Sequence, residues 1–434
     1  MFKILSPSSI AVIGASSDKS KVGYAVFNNL LKSKLKVYPI NPNARSVLGV
    51  KCYDKVTNIK GVVDVAVIAV PAKVVPLVIN ECGLKGVKEV IIISAGFKEA
   101  GNKELEEQIK GVALKYGMRL LGPNVLGVIK PGSFNASFLN EVPKSGGISF
   151  ISQSGALGVA VLDWAITNNI GFSYFISIGN MCDINFNELI TDLNKDSLTK
   201  VIALYVESIS DGPGFMRAVR NSKKPVLVLK AGTSSEGTSA VSSHTGSLAG
   251  NNQVYEAAFN QCGAISVKSF NELVKSAELV NDYGLLKGKR VLIVGNAGGP
   301  SILMTDACIN NGLVIPRLPV KVKKRLDKVL PSHWSHNNPI DVLGDALADR
   351  YEKVFNIIKN ESFYDAVIVI LTPQSMTEVE GTAKAVIELS KKRVVIPCFL
   401  GGNKIKPAFE LFKKEGLLCF NEINEVADSL KALI

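Results

Sequence analysis

Ile10-Ala-Val-Ile-Gly-Ala15 is the stretch that decides how the chain begins to fold. Its apolar run predicts a short buried strand, and the glycine predicts a tight turn directly after it. A helical pattern follows from Val22 to Lys32, and a second strand pattern runs from Lys36 to Ile40. A strand, a helix and a strand in this order form a βαβ unit, so we expect an α/β chain that opens with a Rossmann-like domain.

The loop after the first strand indicates which ligand this domain binds. It reads G-A-S-S-D-K-S-K-V-G (residues 14–23) rather than G-x-G-x-x-G, and the second strand ends in Asn41-Pro42, where an NAD site has an acidic residue. NAD is therefore disfavoured. A ligand with an additional phosphate, either NADP or coenzyme A, suits the serines and lysines of the loop and the start of the next helix. The predicted contacts are Gly14, Ser16, Ser17, Lys19, Lys21, Asn41 and Pro42.

The rest of this domain continues the alternation of strands and helices. Strand patterns run from Asp64 to Val70, from Val90 to Ser94 and from Met118 to Leu121, and turn residues follow each of them. A stretch rich in Gly, Pro, Ser and Asn from Pro131 to Gly147 then breaks the periodicity. We therefore assign residues 1–130 to the first domain.

Two further α/β domains are predicted, one over residues 145–286 and one over residues 289–434. Each opens with a buried strand that leads into small polar or glycine residues and a helix: Gly147–Ser152 before Gln153-Ser-Gly155, and Val291–Gly295 before Asn296-Ala-Gly-Gly-Pro-Ser301. Both sheets are expected to be doubly wound and flavodoxin-like. A helix start with free amides binds anions, and Pro300 is predicted at the first helical position of the later one. Ser152, Gln153, Ser154, Gly155, Ala297, Gly298 and Gly299 are therefore candidate phosphate ligands.

Val241-Ser-Ser-His-Thr-Gly-Ser-Leu-Ala-Gly250 contains one of only three histidines in the chain. Small hydroxyl and glycine residues surround His244, so we expect a polar loop, part of a Gly- and Ser-rich segment from Gly232 to Gly250 with the composition of a mobile loop. Glu207 ends the preceding strand pattern, Lys200–Val206, and a carboxylate there can hold one imidazole nitrogen protonated. The other nitrogen is then free to act as a base or a nucleophile.

Composition excludes several classes of protein. The 434 residues are 47% hydrophobic and 20% charged, which is typical of a globular protein of two to four domains. The net charge of +12 comes from dispersed lysines, so nucleic acid is not an expected partner. No apolar run is long enough to cross a bilayer, so no membrane is expected either. Seven scattered cysteines without a C-x-x-C pattern favour neither disulfides nor a metal site. Such cysteines indicate a reducing compartment, and the start lacks a signal-peptide pattern, so we expect a cytoplasmic protein.

The segment Ser243-His-Thr-Gly-Ser-Leu-Ala-Gly250 resembles the phosphohistidine loop of the ADP-forming acyl-CoA synthetases, a family related to succinyl-CoA synthetase. The resemblance covers the whole chain, through V-P-A (70–72), S-A-G-F-K-E (94–99), G-P-N-x-x-G (122–127) and S-I-G-N (177–180). It implies a CoA-binding domain followed by two ligase domains. Val125 and Ser301 depart from the family pattern, which has cysteine and glycine there. The resemblance adds Val70, Pro71, Ala72, Ser94, Ala95, Gly96 and Asn124 to the coenzyme A contacts, and Gly179 and Asn180 to the phosphate contacts.

The activity implied is that of an acetate–CoA ligase α subunit, in which acyl-CoA, phosphate and ADP give a carboxylic acid, CoA and ATP. His244 carries the phosphoryl group and Glu207 holds its ring. No G-x-x-x-x-G-K-[ST] loop occurs in the chain, so ADP and Mg²⁺ are expected on an ATP-grasp β subunit in an α2β2 assembly. The alternatives are a succinate–CoA ligase α subunit, a non-catalytic CoA-binding or sensing protein, and a protein acetyltransferase scaffold.

Overall fold

The computed structural model describes residues 1–245 and 251–434, and the side chains of residues 242–245 lie outside the described part. The chain divides into two compact units: unit 1 is Met1–Phe270 and unit 2 is Asn271–Ile434. Short 3-10 helices are Lys3–Leu5, Val56–Asn58, Ala72–Val74, Lys98–Ala100 and Asn403–Ile405.

The first sheet of unit 1 is parallel, with the strand order β2-β1-β5-β6-β7, and a small antiparallel pair, β3 and β4, lies outside it. Along β1, Ile10 and Val12 join one buried cluster and Ala11 and Ile13 another, because successive side chains of a strand point to opposite faces. The strands are β1 (Ser9–Ile13), β2 (Lys36–Ile40), β3 (Ser46–Val47), β4 (Val50–Lys51), β5 (Val65–Ile68), β6 (Glu89–Ile92) and β7 (Arg119–Leu121), and the helices are α1 (Val22–Leu31), α2 (Val75–Lys85) and α3 (Lys103–Tyr116).

The second sheet of unit 1 has the order β14-β13-β12-β10-β11-β8-β9. Strands β10 to β14 are parallel, whereas β8 and β9 form an antiparallel border. The strands are β8 (Gly127–Lys130), β9 (Phe134–Ser137), β10 (Lys144–Ser152), β11 (Gly171–Ser177), β12 (Val201–Val206), β13 (Val226–Lys230) and β14 (Ile265–Val267), and the helices are α4 (Gly155–Thr167), α5 (Phe186–Leu193), α6 (Gly212–Arg220), α7 (Ser235–Thr245) and α8 (Asn252–Cys262).

The border strands differ from the expectation. Residues 127–130 were assigned to the first domain and the following stretch to a domain boundary, but both strands of this hairpin belong to the second sheet. The turn residues that suggested a linker make the hairpin turn: Gly132 has φ +76°, and the N–H of Ser133 donates to the Lys130 carbonyl at 3.0 Å. Composition indicated a turn correctly, but it does not distinguish a hairpin from a linker.

Unit 2 contains a parallel sheet of order β16-β15-β17-β18 with its own core around Trp334, Tyr351 and Phe399. The strands are β15 (Val291–Gly295), β16 (Ile340–Asp341), β17 (Ala366–Leu371) and β18 (Val394–Phe399), and the helices are α9 (Phe270–Tyr283), α10 (Gly298–Asn310), α11 (Val320–Leu326), α12 (Ala348–Ile358), α13 (Val379–Ser390), α14 (Lys406–Glu415) and α15 (Ile423–Lys431). The predicted α/β class, with a Rossmann-like domain before two flavodoxin-like ones, is confirmed. Among the described helices, none is long and apolar enough to cross a membrane.

Candidate functional site

The turn after β1 depends on two glycines. A Cβ atom on Gly14 would lie 2.4 Å from the Ala69 carbonyl oxygen, and one on Gly23 would lie 1.8 Å from the Gly14 oxygen. Only glycine therefore lets this loop pass between β5 and the start of α1. Helix α1 begins without a side-chain cap, so its first amides have no side-chain acceptor and suit an anion.

Some of the residues predicted to bind the ligand at this loop are exposed to solvent, whereas others make hydrogen bonds within the chain. Lys19 and Lys21 are exposed to solvent near the start of α1. Ser16 accepts a hydrogen bond from the Asp18 N–H at 3.0 Å, and the Asn41 side chain donates to the Ala15 carbonyl at 2.8 Å. Asn41 therefore fixes the loop through its amide nitrogen.

The ends of β5 and β6 lie side by side, as the parallel topology requires. The Ser94 hydroxyl donates to the Val70 carbonyl at 2.5 Å. Two cavities border these strand ends, one of about 1040 Å³ and one of about 550 Å³. Pro71, Ala72 and Gly96 line the larger cavity, whereas Val70, Ser94, Ala95 and Asn124 line the smaller one.

The start of α4 forms the opposite side of the smaller cavity, which Gln153, Ser154, Gly155 and Ala156 also line. Ser154 is the N-cap residue, and its hydroxyl accepts a hydrogen bond from the Leu157 N–H at 3.3 Å. This cap leaves the amides of the first two helical residues free of a side-chain partner. The helix start therefore has the geometry of an anion site, next to the predicted coenzyme A contacts.

Gln153 has a structural role that the sequence did not reveal. Its amide oxygen accepts hydrogen bonds from the N–H groups of Glu207 and Ser208, at 2.5 and 2.9 Å. Gln153 is buried, so the contact fixes the residue after β12 to the start of α4. A phosphate contact by Gln153 would be limited to its amide nitrogen, which is 3.4 Å from the Ser208 hydroxyl.

Glu207 lies buried among polar groups at the strand ends. Lys230 ends the neighbouring strand β13, is itself 6% exposed, and has its ammonium nitrogen 4.6 Å from the centre of the Tyr255 ring. Burial lowers the pKa of Lys230, and the charge of Glu207 opposes that change. Burial, together with the charge of Glu207, raises the pKa of Tyr205 to about 12. Lys230 is not among the predicted site residues, although a lysine that ends a buried strand is an unusual signal.

His244 belongs to α7 by its backbone, but its side chain lies outside the described residues. The predicted pairing of His244 with Glu207 therefore stays a prediction. The expected loop from Gly232 to Gly250 is wrong for the part that forms α7, Ser235–Thr245. Serine, threonine and glycine are weak helix formers, so composition indicated a loop where a helix forms.

Gly179 and Asn180 contact the chain itself. A Cβ atom on Gly179 would lie 2.2 Å from the Pro123 oxygen, so glycine is needed where this turn meets the end of the first sheet. The side-chain nitrogen of Asn180 donates to Glu99 at 2.6 Å and to Glu106 at 2.8 Å. Both of its hydrogens are thus directed at carboxylates, an arrangement that differs from the predicted phosphate contact.

In unit 2, α10 begins at Gly298 with Ala297 as its N-cap and no side-chain cap. A Cβ atom on Gly299 would meet nothing within 4 Å, so the helix start is open to a ligand. Pro300 is the third residue of the helix, whereas the prediction placed it first. The N–H that proline lacks would still have no partner within the helix at the third position. Ser301 fits its site because its hydroxyl donates to the Ala297 carbonyl at 2.8 Å. Within the described residues there is no group of three side chains suited to a metal ion.

Three family models match the chain in succession. They are described as a CoA binding domain (residues 8–131), a succinyl-CoA ligase like flavodoxin domain (145–280) and a ligase-CoA domain (291–420).

Curated relatives match over nearly the whole chain. The α subunit of ADP-forming acetate–CoA ligase II from Pyrococcus furiosus is 41% identical, over 99% of this chain and 96% of its own length. ADP-forming acetate–CoA ligase I from Archaeoglobus fulgidus is 39% identical over 96% of this chain. The chain spans only 61% of that second relative.

A solved structure shares the fold throughout. The dinucleotide-forming acetyl-coenzyme A synthetase 1 of Ca. Korarchaeum cryptofilum, in complex with phosphate and ADP, superimposes with a TM-score of 0.95 at 36% identity. The match covers 99% of this chain and 95% of that chain.

Proposed function

Because the chain belongs to the family of ADP-forming acetate–CoA ligases, we propose that it is the CoA-binding and phosphoryl-carrying part of such an enzyme. The reaction is acyl-CoA + phosphate + ADP ⇌ carboxylic acid + CoA + ATP. The observation that supports the proposal is the cavity of about 550 Å³, because four of the predicted coenzyme A contacts and the start of α4 both line it. A thioester and a phosphate can meet there.

The first step uses both sides of this cavity. A phosphate oxygen attacks the thioester carbonyl carbon, the C–S bond breaks, and the thiolate leaves and takes up a proton to become CoA. The amides at the start of α4 hold the phosphate and the negative charge that develops, as fixed donors do for transferring groups. The product is an acyl phosphate.

The second step transfers the phosphoryl group to the chain. A ring nitrogen of His244 attacks the phosphorus atom, the bond from phosphorus to the acyl oxygen breaks, and the carboxylate leaves. Glu207 orients the ring and favours its cationic phosphorylated form. Gln153 holds the backbone of Glu207 in place by accepting the hydrogen bond from its N–H.

The last step needs ADP, whose β-phosphate oxygen attacks the phosphohistidine and breaks the P–N bond. We assign ADP and Mg²⁺ to an ATP-grasp β subunit, in an α2β2 assembly. Support comes from relatives of the same length that are named as α subunits. We assign the finished enzyme to the cytoplasm.

The test is phosphoryl labelling of His244. Incubation of the chain with acetyl-CoA and labelled phosphate should give an acid-labile, base-stable label, and ATP should form only when the ADP-binding partner is added. His244→Asn should abolish the label, Glu207→Gln should reduce it, and His333→Asn, at an exposed histidine of unit 2, should leave it unchanged. A label that survives His244→Asn would refute the proposal.

A further inference from the structure

Lys230 is a buried cation to which the proposed function gives no role. It ends β13 and is only 6% exposed, although lysine is almost never buried without a partner. Its ammonium donates to the Ala231 carbonyl and lies 4.6 Å from the centre of the Tyr255 ring. The carbonyl and the ring each attract the ammonium, but neither carries the full negative charge that would balance it.

The strand pairing brings Lys230 close to Glu207. Strands β12 and β13 are parallel, with Val206 opposite Lys230, and Glu207 is the next residue after Val206. The N–H of Ala231 donates to the Val206 carbonyl at 2.9 Å, which extends the pairing past the last residue of each strand. Glu207 is also buried. Two buried groups of opposite charge therefore lie at neighbouring strand ends.

Both groups are held in place by contacts with other elements. Gln153, at the start of α4, accepts the hydrogen bond from the N–H of Glu207. The Tyr255 hydroxyl accepts a hydrogen bond from the Ile209 N–H at 3.3 Å. Because Tyr255 belongs to α8 and Ile209 follows β12, this contact fixes the ring that lies against the ammonium of Lys230. The fold therefore sets the position of the positive charge relative to Glu207.

The two charges stabilise each other. Burial lowers the pKa of Lys230, and the charge of Glu207 opposes that change. The same interaction favours the ionised form of Glu207, because an electrostatic attraction acts on both partners. Tyr205 on β12 and Tyr255 on α8 also lie next to these groups, and a phenol supplies no positive charge. Lys230 is therefore a positive charge that the fold places beside Glu207.

The proposed phosphoryl transfer, on which this inference rests, requires an ionised Glu207 before the phosphoryl group arrives. The His244 ring attacks as a neutral imidazole, so at that stage it supplies no positive charge to Glu207. A buried carboxylate without a cation takes up a proton. A protonated Glu207 would no longer favour the cationic phosphorylated ring. A positive charge from another residue has to be present before the transfer.

We infer that Lys230 is a positioning residue for this transfer: its ammonium, held against the Tyr255 ring, keeps Glu207 ionised while His244 is still neutral. The carboxylate is then ready to orient the ring and to stabilise the phosphohistidine. No bond to Lys230 forms or breaks in the reaction.

The first test measures the protonation of Glu207 in a chain that lacks the histidine. In a His244→Asn background, with glutamate labelled with ¹³C at the side-chain carboxyl, the NMR signal that Glu207→Gln removes is that of Glu207. Lys230→Met should raise the pH midpoint of this signal by about 1–3 units. Lys230→Arg keeps the charge and should raise the midpoint by less than about half a unit.

Lys130→Met is the matched control for this titration. Lys130 ends β8 of the same sheet, and its ammonium lies 4.8 Å from the centre of the Tyr174 ring. It thus resembles Lys230 in its place at a strand end and in its contact with a tyrosine. Strands β12, β10 and β11 separate β8 from β13, so Lys130→Met should leave the midpoint of Glu207 unchanged.

The second test measures the rate at which His244 takes up label from acetyl-CoA and labelled phosphate. Lys230→Met should slow labelling about tenfold or more at about pH 7, and by a larger factor at lower pH. Lys230→Arg should restore the rate to within about threefold of the unaltered chain. In a chain that already carries Glu207→Gln, adding Lys230→Met should change the rate less than about twofold, because no carboxylate is left to keep ionised. A purely structural Lys230 would slow labelling by the same factor in both chains.

Cooperative thermal unfolding reports whether each variant is folded. If Lys230→Met does not fold but its combination with Glu207→Gln does, the uncompensated carboxylate is the cause, and the inference is supported. If neither folds, Lys230 acts by packing, and the inference fails. An unchanged midpoint of Glu207 in folded Lys230→Met would overturn it. If the unaltered chain takes up no label on His244, the proposed function fails, whereas the titration still decides whether Lys230 keeps Glu207 ionised.

Discussion

Replacing Gln153 with leucine would remove one amide oxygen and leave two backbone N–H groups without an acceptor. The groups belong to Glu207 and Ser208, and both now donate to that oxygen. An unsatisfied buried donor costs about 1–3 kcal/mol, and the half-buried Ser208 lies at the lower end of that range. We therefore expect unit 1 to lose about 2–4 kcal/mol of unfolding free energy, which corresponds to a fall of about 4–16 °C in its melting temperature.

The same substitution should slow the phosphorylation of His244, because the residue that is proposed to orient its ring is no longer fixed. Thermal unfolding and the rate of labelling measure the two effects. Ser208→Ala is the matched control, since it removes only the 3.4 Å contact with the Gln153 amide nitrogen and keeps the backbone donor. A Gln153→Leu variant with the melting temperature and labelling rate of the unaltered chain would refute this account.

Two further predictions concern the contact between the first sheet and the turn at Gly179. Gly179→Ala should cost more than about 2 kcal/mol of unfolding free energy, because the new Cβ would lie 2.2 Å from the Pro123 oxygen and the residue has φ +51°. The control Gly111→Ala, in α3 where a Cβ meets nothing within 4 Å, should stabilise the chain by about 0.5–1 kcal/mol. Equal effects of the two substitutions in chemical denaturation would contradict the steric explanation. Burial raises the pKa of Glu106, although the hydrogen bond from Asn180 opposes this rise. The protonated Glu106 side chain therefore contributes stability below the ordinary glutamate pKa, and this contribution is lost as the pH rises through the raised pKa. Glu106→Gln, which still accepts from Asn180, should therefore be more stable than the unaltered chain at about pH 7 and no different at about pH 4, and a gain that grows towards acid pH would exclude this explanation.

Several of the parallel strands could be predicted closely from the sequence. Strand β2 runs from Lys36 to Ile40 as predicted, and the predicted strand over Pro225–Lys230 begins one residue later, at Val226. Strands buried on both faces are short apolar runs, which are a strong local signal. Their order along the chain also gives the parallel topology and the edge at which ligands bind.

The contacts that fix the site could not be predicted in this way. Gln153, Asn180 and Asn29 each bind groups between 54 and 110 residues away along the chain. Nothing in the local sequence distinguishes an amide that binds a ligand from one that holds a distant loop. For this reason the position at a helix start predicts a phosphate contact for Gln153, the motif predicts one for Asn180, and neither signal reveals the role of Asn29.

The antiparallel border of the second sheet has a consequence for dividing the chain into fragments. Strand β8 covers the side of β11 that faces away from β10. A fragment that starts at residue 145 would expose that row of unpaired N–H and C=O groups, and such an uncovered edge pairs readily with other chains. A fragment that starts at Gly127 keeps the edge covered, but it removes the carbonyls of Ser137 and Leu139 from the Asn29 side chain of the remainder. Residues 127–139 therefore stabilise both sheets. A fragment that contains only one of the two sheets loses either the strand that covers its edge or the acceptors of its Asn29 side chain.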